Sequence, residues 1–261
     1  MLLAGHVAVV TGATRGIGEA IARRFAAEGA CVVLTGRTEE GGRRVEFEIS
    51  QDGGRALFVR ADNLRRDDVE GAVQTAVKTF GTVTTLVNNA ASVGRRDGNA
   101  LTVQDGVIDE LMHVQVHAVV WACRAAIPHM ERAGGGSIIN ISTIGSMFPR
   151  QGALAYATSK GALNSLTLQL AADHARGNIR ANALILGRIA STPHLDADYA
   201  DPDFRASSAA LSLLNRVGQP EEVASVCAFF ASDESSFITG ALVPVDGGAM
   251  LKRNELPFSA S

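Results

Sequence analysis

The feature that most constrains this chain is the regular alternation of short apolar runs with segments of helix length. Seven such runs occur: VAVV from Val7, CVVL from Cys31, ALFV from Ala56, TLV from Thr85, SIINI from Ser137, ANALIL from Ala181 and ALVPV from Ala241. The runs lack the apolar–polar alternation of half-exposed strands, which predicts strands that are covered on both faces. We therefore predict an α/β fold with a doubly wound parallel sheet of about seven strands and helices on both faces.

The length of the chain fits one domain of this kind. Its 261 residues, 46% of them hydrophobic, can bury a large core. Because no linker or repeat divides the sequence, we predict a single domain over residues 1–261. Two segments depart from the alternation: we interpret 188–215, between the sixth and seventh strands, as a substrate loop or lid, and 251–261 as a C-terminal tail.

Charge and composition argue against several classes of partner. The formal net charge is -3, and the basic residues are scattered, so neither nucleic acid nor an anionic membrane is a predicted partner. No apolar run approaches the roughly 18 residues of a membrane span, and the N-terminus has no signal-peptide pattern. Cys31, Cys123 and Cys227 form no CxxC pair, which is typical of small core residues in a reduced, cytoplasmic protein.

The segment TGATRGIG, from Thr11 to Gly18, follows the first predicted strand and opens a helix. Glycine lets the backbone turn tightly and approach a pyrophosphate, and the helix N-terminus offers free N–H donors. Tight turns also use glycine for steric reasons alone, but the position at the first strand–helix junction favours dinucleotide binding by a Rossmann-type sheet. The residues that we predict to bind the cofactor here are Gly12, Thr14, Arg15, Gly16, Ile17 and Gly18.

The end of the second predicted strand indicates which dinucleotide is bound. A carboxylate at this place would hold the ribose 2′-OH of NAD, but the chain has Gly36 followed by Arg37. A guanidinium suits the 2′-phosphate of NADP, and Arg15 could reach the same group. We therefore predict NADP(H), with NAD(H) as the less favoured cofactor; two solvated surface arginines are the alternative interpretation.

A second chemical motif lies in ISTIGSMFPRQGALAYATSK, from Ile141 to Lys160. Tyr156 and Lys160 are four residues apart, so on a helix they share one face. A free tyrosine has a pKa of about 10, and a nearby cation favours the phenolate. With Lys160 as that cation, Tyr156 could act as the general acid in carbonyl reduction and as the base in alcohol oxidation.

These motifs together closely resemble the short-chain dehydrogenase/reductase family. TGATRGIG is followed in order by Asp62 after the third strand, by NNAA, GSIINIS and YATSK, and by VPVDGG near the C-terminus. The resemblance implies hydride transfer between a nicotinamide and a small carbonyl or alcohol substrate. It also implies a homotetramer or homodimer built on the helices around 115–132 and 156–175. Further cofactor contacts that it implies are Asp62 and Asn63 on the adenine side, Asn89 on the adenosine ribose side, Lys160 and Tyr156 near the nicotinamide ribose, and Ile189 and Ser191 near the carboxamide.

Four positions depart from the family pattern. The family serine lies thirteen residues before the tyrosine, which here is Thr143; Ser142 is the reserve candidate, since neighbours on a strand point to opposite faces. Gln115 stands where the family often has an asparagine that positions a relay water beside the lysine. Ala91 replaces a glycine, and Leu186 replaces a proline. The predicted catalytic residues are thus Thr143, Tyr156, Lys160 and Gln115 in a divergent member of the family.

Two other function classes stay open because of these departures. One is a nucleotide-binding sensor with little redox activity, and the other is a related dehydratase or epimerase. A metal site is not predicted: His113 and His117 have a zinc-like spacing, but no glutamate base or third ligand accompanies them. We interpret these histidines as part of a helix surface or a subunit interface.

Overall fold

A seven-stranded parallel sheet forms the centre of the structure. The computed structural model describes residues 1–92, 97–190 and 201–252. In chain order its strands are β1 (Val7–Val10), β2 (Cys31–Gly36), β3 (Arg55–Arg60), β4 (Thr85–Asn88), β5 (Gly136–Thr143), β6 (Ile179–Leu186) and β7 (Leu242–Val245). They lie in the order β3-β2-β1-β4-β5-β6-β7, and the strand order reverses between β1 and β4. Such a reversal opens a crevice at the carboxyl ends of the strands, where ligands bind in folds of this class.

Helices cover both faces of this sheet. They are α1 (Gly16–Ala27), α2 (Glu39–Gln51), α3 (Arg66–Phe80), α4 (Asp105–Met112), α5 (Ala118–Arg132), α6 (Leu154–His174), α7 (Pro202–Ala209) and α8 (Pro220–Ala231). One core joins the sheet to α1, α2 and α8, and a second core joins it to α3, α5 and α6. The predicted doubly wound sheet is confirmed.

The burial of β1 explains why its sequence shows no polar alternation. Val7 and Val9 belong to one core, whereas Ala8 and Val10 belong to the other. Successive side chains of a strand point to opposite faces, so a sheet covered on both sides needs an apolar residue at every position. The three cysteines are also buried and free, as predicted.

The described part of the predicted lid contains a helix, which the sequence did not lead us to expect. Asp201 caps α7 by accepting a hydrogen bond from the Asp203 backbone N–H at 2.9 Å, and Pro202 occupies the first helical turn. Residues 191–200, which include the predicted cofactor contact Ser191, lie outside the described residues, as do 253–261 of the predicted tail. Within the described ranges, no helix has the length and apolarity needed to cross a membrane.

Candidate active site

The glycine turn between β1 and α1 brings backbone into close contact with backbone. Gly12 has a φ of 65° and Gly16 a φ of 60°, in the left-handed region that favours glycine. A Cβ on Gly18 would lie 2.3 Å from the carbonyl oxygen of Gly12, so no side chain fits there. Arg15 precedes α1 in an extended conformation, and its side chain makes no capping hydrogen bond. The first N–H groups of α1 are therefore left for an anionic ligand such as a pyrophosphate.

Asn89 holds this turn from the end of the neighbouring strand β4. Its Nδ2 donates to the carbonyl oxygens of Thr11 at 2.9 Å and Gly12 at 3.0 Å. In return, the Thr11 hydroxyl oxygen accepts from the backbone N–H groups of Asn89 at 3.0 Å and Ala90 at 3.1 Å. These four bonds join the two sides of the crevice at which the strand order reverses.

Two arginines lie at this edge of the sheet, Arg15 in the glycine turn itself and Arg37 directly after β2. Arg15 and Arg37 are both exposed, and neither forms an ion pair with a carboxylate of the residues that the structure describes. Arg60 Nε donates to the Arg37 carbonyl oxygen at 3.3 Å and so fixes the backbone of this loop. Asp62, after β3, is half-buried and accepts from the Leu64 N–H at 3.1 Å. These residues line the same edge of the sheet, where a dinucleotide would lie.

Three of the predicted catalytic residues meet at the carboxyl end of β5. The Thr143 side chain lies near enough to the Tyr156 phenol to lower its pKa, and the Thr143 hydroxyl accepts from the Gly145 N–H at 3.2 Å. Lys160 lies one helical turn after Tyr156 and is only 3% exposed. Its Nζ donates to the Ile141 carbonyl oxygen at 2.7 Å. The structure therefore brings a hydroxyl, a phenol and an amine together next to the dinucleotide crevice.

Burial alters the protonation of both titratable groups in this cluster. Burial raises the pKa of Tyr156, while the charge of Arg150 and the hydrogen bond from Thr143 act to lower that pKa. Burial also lowers the pKa of Lys160 to about 7, because the buried ammonium loses its hydration. Arg150 was not among the residues predicted from the sequence; it lies in the loop between Thr143 and Tyr156, which gives no local signal of its proximity to the phenol.

Ser142, the reserve candidate, lies on the other side of β5. It is 3% exposed, and its hydroxyl has no hydrogen-bond partner within the described part of the chain. It does not join the cluster around Tyr156. The arrangement favours Thr143 as the working hydroxyl, in agreement with the spacing argument.

Gln115 lies in a π-helical turn, His113–His117, that joins α4 to α5. Its side chain is 1% exposed, and its Nε2 donates to the Ser92 carbonyl oxygen at 3.1 Å. The other amide atom, Oε1, is buried and has no protein partner among the described residues, so it could accept from a bound water. Wide helical turns of this kind are frequent at functional sites. The rings of His113 and His117 stack at 4.6 Å on the outer side of this turn, next to Trp121.

Comparison with known proteins identifies the family to which this fold belongs. Residues 12–250 match a family model described as Enoyl-(Acyl carrier protein) reductase. The 7alpha-hydroxysteroid dehydrogenase of Clostridium sardiniense is 41% identical over 252 residues, which cover 95% of each chain. The chain belongs to the short-chain dehydrogenase/reductase family.

Other members of the short-chain dehydrogenase/reductase family agree with this assignment. The 3beta-hydroxysteroid dehydrogenase 1 of Eggerthella lenta is 37% identical over 251 residues, 95% of each chain. A short-chain type dehydrogenase/reductase from Mycobacterium ulcerans has a TM-score of 0.91 at 26% identity, covering 97% of this chain and 92% of that one. The protein is therefore an oxidoreductase of this family, for which a nicotinamide cofactor is implied, and the uncapped helix N-terminus at the glycine turn fits such a cofactor.

Proposed function

We propose that this short-chain dehydrogenase/reductase uses NADP(H) to interconvert a ketone and a secondary alcohol, with Tyr156 as the acid and base. The observation that carries the proposal is the placement of the Tyr156 phenol near the Thr143 side chain, one turn from the buried Lys160. A phenol beside a hydroxyl can exchange a proton with a substrate oxygen held between the two.

Each residue of the cluster has a distinct part in the proposed mechanism. Thr143 donates a hydrogen bond to the substrate oxygen, and Tyr156 gives that oxygen a proton in reduction or takes it in oxidation. The nicotinamide, when bound, supplies or accepts the hydride. Lys160 holds the nicotinamide ribose and resupplies the proton through its ammonium, and Gln115 holds a relay water with the free Oε1.

The proposed NADP(H) preference rests on Arg15 and Arg37. Both residues are exposed: Arg37 directly follows Gly36, where a carboxylate would otherwise select the 2′-OH of NAD, and Arg15 lies in the glycine turn. The remaining proposed cofactor contacts are Gly12, Thr14, Gly16, Ile17 and Gly18 at the pyrophosphate, Asp62, Asn63 and Asn89 on the adenosine side, Tyr156 and Lys160 at the nicotinamide ribose, and Ile189 and Ser191 at the carboxamide.

A hydroxysteroid is the substrate class that we propose to test first. Two relatives that match 95% of the chain are hydroxysteroid dehydrogenases. The loop between Thr143 and Tyr156 also presents Met147 and Phe148, which are 47% and 54% exposed and could cover an apolar ring system. We further propose a cytoplasmic homodimer or homotetramer that associates through α5 and α6, on which Leu168 is 46% exposed.

The test is the turnover of Tyr156→Phe beside the unchanged protein, with hydroxysteroids, sugars and small cyclic alcohols as substrates. We expect the variant to lose turnover by about a hundredfold or more, because the phenyl ring cannot transfer a proton. Titration with NADPH and NADH should show that the variant still binds both cofactors, with NADPH bound more tightly. Turnover by Tyr156→Phe at the parental rate would refute the mechanism, and nucleotide binding without turnover by the unchanged protein would favour a sensor.

A further inference from the structure

The helix that carries Tyr156 begins without a capping residue of its own. Ala153 precedes α6, and its methyl group cannot accept a hydrogen bond. The first N–H groups of α6 are instead bonded to a segment 58 residues earlier in the chain. Asp97 Oδ1 accepts from the Ala155 N–H at 3.0 Å, and Asp97 Oδ2 accepts from the Tyr156 N–H at 2.9 Å. The Leu154 N–H donates to the Gly98 carbonyl oxygen at 3.1 Å.

Asp97 is itself held in a tight turn between β4 and α4. Its Oδ1 also accepts from the Gly98 N–H at 2.8 Å. Gly98 is buried, and a Cβ there would lie 2.4 Å from the Thr102 hydroxyl oxygen. That hydroxyl accepts from the Asn99 N–H at 3.1 Å, which closes the turn. A carboxylate on so constrained a backbone can fix the position of what it binds.

We propose that Asp97 is a positioning residue for Tyr156, holding the first turn of α6 where the phenol reaches Thr143. The inference rests on the proposed catalytic role of Tyr156. One carboxylate oxygen bonds directly to the backbone N–H of the residue whose side chain transfers the proton. A shift or fraying of that turn would move the phenol, and misplacement of about 1 Å can cost about a hundredfold in rate.

The choice of a carboxylate follows from the geometry. Two neighbouring N–H groups each need an acceptor, and the two oxygens of an ionised carboxylate serve both at once. The negative charge is also favourable at the positive end of the helix dipole. An asparagine has one acceptor oxygen, and its NH₂ group would face an N–H donor, so it can satisfy only one of the two bonds.

The competing explanation is that Asp97 acts only as a distant N-cap that stabilises α6. The two explanations differ in what changes in the folded enzyme. A cap alone lowers the melting temperature but leaves the turnover of the folded fraction unchanged. Loss of a positioning residue lowers kcat more than it raises KM, and it changes the pKa of the phenol because the phenol moves away from Thr143.

The experiment compares Asp97→Asn, Asp97→Ala and Asp97→Glu with the unchanged enzyme and with Asp105→Asn as control. Asp105 is an exposed acid in the first turn of α4, so its substitution removes the same charge near a helix N-terminus. We measure kcat, KM, the pH dependence of alcohol oxidation, NADPH affinity and the melting temperature, with assays at least 15 °C below melting.

We expect kcat to fall about tenfold in Asp97→Asn and about a hundredfold in Asp97→Ala. The affinity of both variants for NADPH should equal that of the parent, and Asp105→Asn should keep the parental kcat. The rising limb of the pH profile of oxidation should move to higher pH in both Asp97 variants, because the nearby Thr143 side chain lowers the pKa of the phenol in the parent. If Asp97→Ala does not fold, Asp97→Asn and Asp97→Glu carry the test.

Parental kcat in folded Asp97→Asn, with only a lower melting temperature, would overturn the inference. That result leaves the role of Tyr156 intact as long as Tyr156→Phe is inactive. An active Tyr156→Phe would instead refute the proposed mechanism itself, so the two failures are distinguishable.

Discussion

At the scale of single residues, the chemistry depends on the pKa of the Tyr156 phenol, which neighbouring groups shift in opposite directions. Burial raises its pKa, and the Arg150 charge and the Thr143 hydrogen bond oppose that effect. Arg150 is exposed and ends in solvent, so its influence is partly screened. Arg150 is not part of the Tyr156–Lys160 motif, but its charge acts on the Tyr156 phenol.

Arg150→Ala should therefore move the pH dependence of alcohol oxidation. Oxidation needs the phenolate form, which accumulates as pH rises through the pKa of Tyr156. Removal of the Arg150 charge raises that pKa, so the rising limb of kcat should move to higher pH, whereas Arg150→Lys should keep its position. The profiles are measured at low ionic strength with saturating cofactor. Coincident profiles for Arg150→Ala and the parent would show that the charge does not reach the phenol.

Removal of the Thr143 hydroxyl and removal of the neighbouring Ser142 hydroxyl on β5 should have very different effects on turnover. Thr143→Val keeps the shape but removes the donor to the substrate oxygen, and loss of one such donor costs about a hundredfold or more in kcat. Ser142→Ala removes a buried hydroxyl that lacks a partner in the described structure, so the free energy of unfolding should change by less than about 1 kcal/mol. Steady-state kinetics and urea unfolding of both variants are the measurements. Larger loss of turnover in Ser142→Ala would reverse the assignment.

At the scale of elements, the strands could be predicted from local sequence patterns. A strand that is buried on both faces is a continuous run of apolar residues, and such runs are visible in the sequence. All seven apolar runs became strands, from Val7–Val10 to Leu242–Val245. The glycine turn and the Tyr156–Lys160 spacing were readable because the residues of each lie within a few positions along the chain. The π-helical turn at Gln115 has no comparable signature, since its sequence reads as ordinary helix.

The contacts of Asp97 and Arg150 could not be read for a different reason. Asp97 lies 59 residues before Tyr156 and meets it only through the packing of α6 against the loop after β4. Because Ala153 is a poor capping residue, the sequence indicates that the first N–H groups of α6 need another hydrogen-bond acceptor, but it does not show which residue provides it. Contacts that depend on tertiary packing leave each partner with an unremarkable local sequence.

The crowding between Thr14 and Gly36 predicts how cofactor preference can be changed. A Cβ at position 36 would lie 2.5 Å from the Thr14 methyl carbon, and the Thr14 hydroxyl is held 3.4 Å from the Thr38 hydroxyl. Gly36→Asp alone should therefore weaken binding of both dinucleotides. With Thr14→Ser added, the methyl group is gone, and the ratio of NADH to NADPH affinity should rise about tenfold through a charged hydrogen bond to the ribose.

Fluorescence titration of the two variants with each cofactor checks this prediction, with Thr14→Ser alone as control. The single variant and the double variant should differ in NADH affinity. Equal affinities would show that Thr14 moves aside without cost and does not restrict position 36.

At the scale of the whole molecule, the candidate active site lowers the free energy of unfolding because it contains a buried charged group. The two cores bury most apolar residues of the strands, but the layer between β5 and α6 also encloses Lys160 at 3% exposure. Among the residues that the structure describes, its Nζ is bonded only to the Ile141 carbonyl oxygen, and a buried ammonium without a paired carboxylate is costly. Functional sites often depart from the rules that stabilise the rest of a fold.

Lys160→Met should change how the free energy of unfolding depends on pH, because it removes the buried amine. The pKa of Lys160 is about 7 in the folded protein, against 10.5 for the free side chain. Below about pH 7 the lysine is protonated in both states, so its contribution is constant. Between about 7 and 10.5 the unfolded chain binds the proton that the folded protein releases, so the free energy of unfolding rises with pH, by at most about 1.4 kcal/mol per pH unit.

The measurement is the free energy of unfolding by urea at several pH values, for the parent, Lys160→Met and Lys78→Met. Lys78 is exposed in the last turn of α3 and controls for the loss of a lysine. The buried thiols Cys123 and Cys227, whose pKa values burial raises, oppose the trend at high pH but are common to all three proteins, so they cancel in the differences. The parent and Lys78→Met should gain stability relative to Lys160→Met as pH rises. Parallel curves for all three would mean that the Lys160 ammonium is solvated, which would remove it as a proton donor tuned by burial.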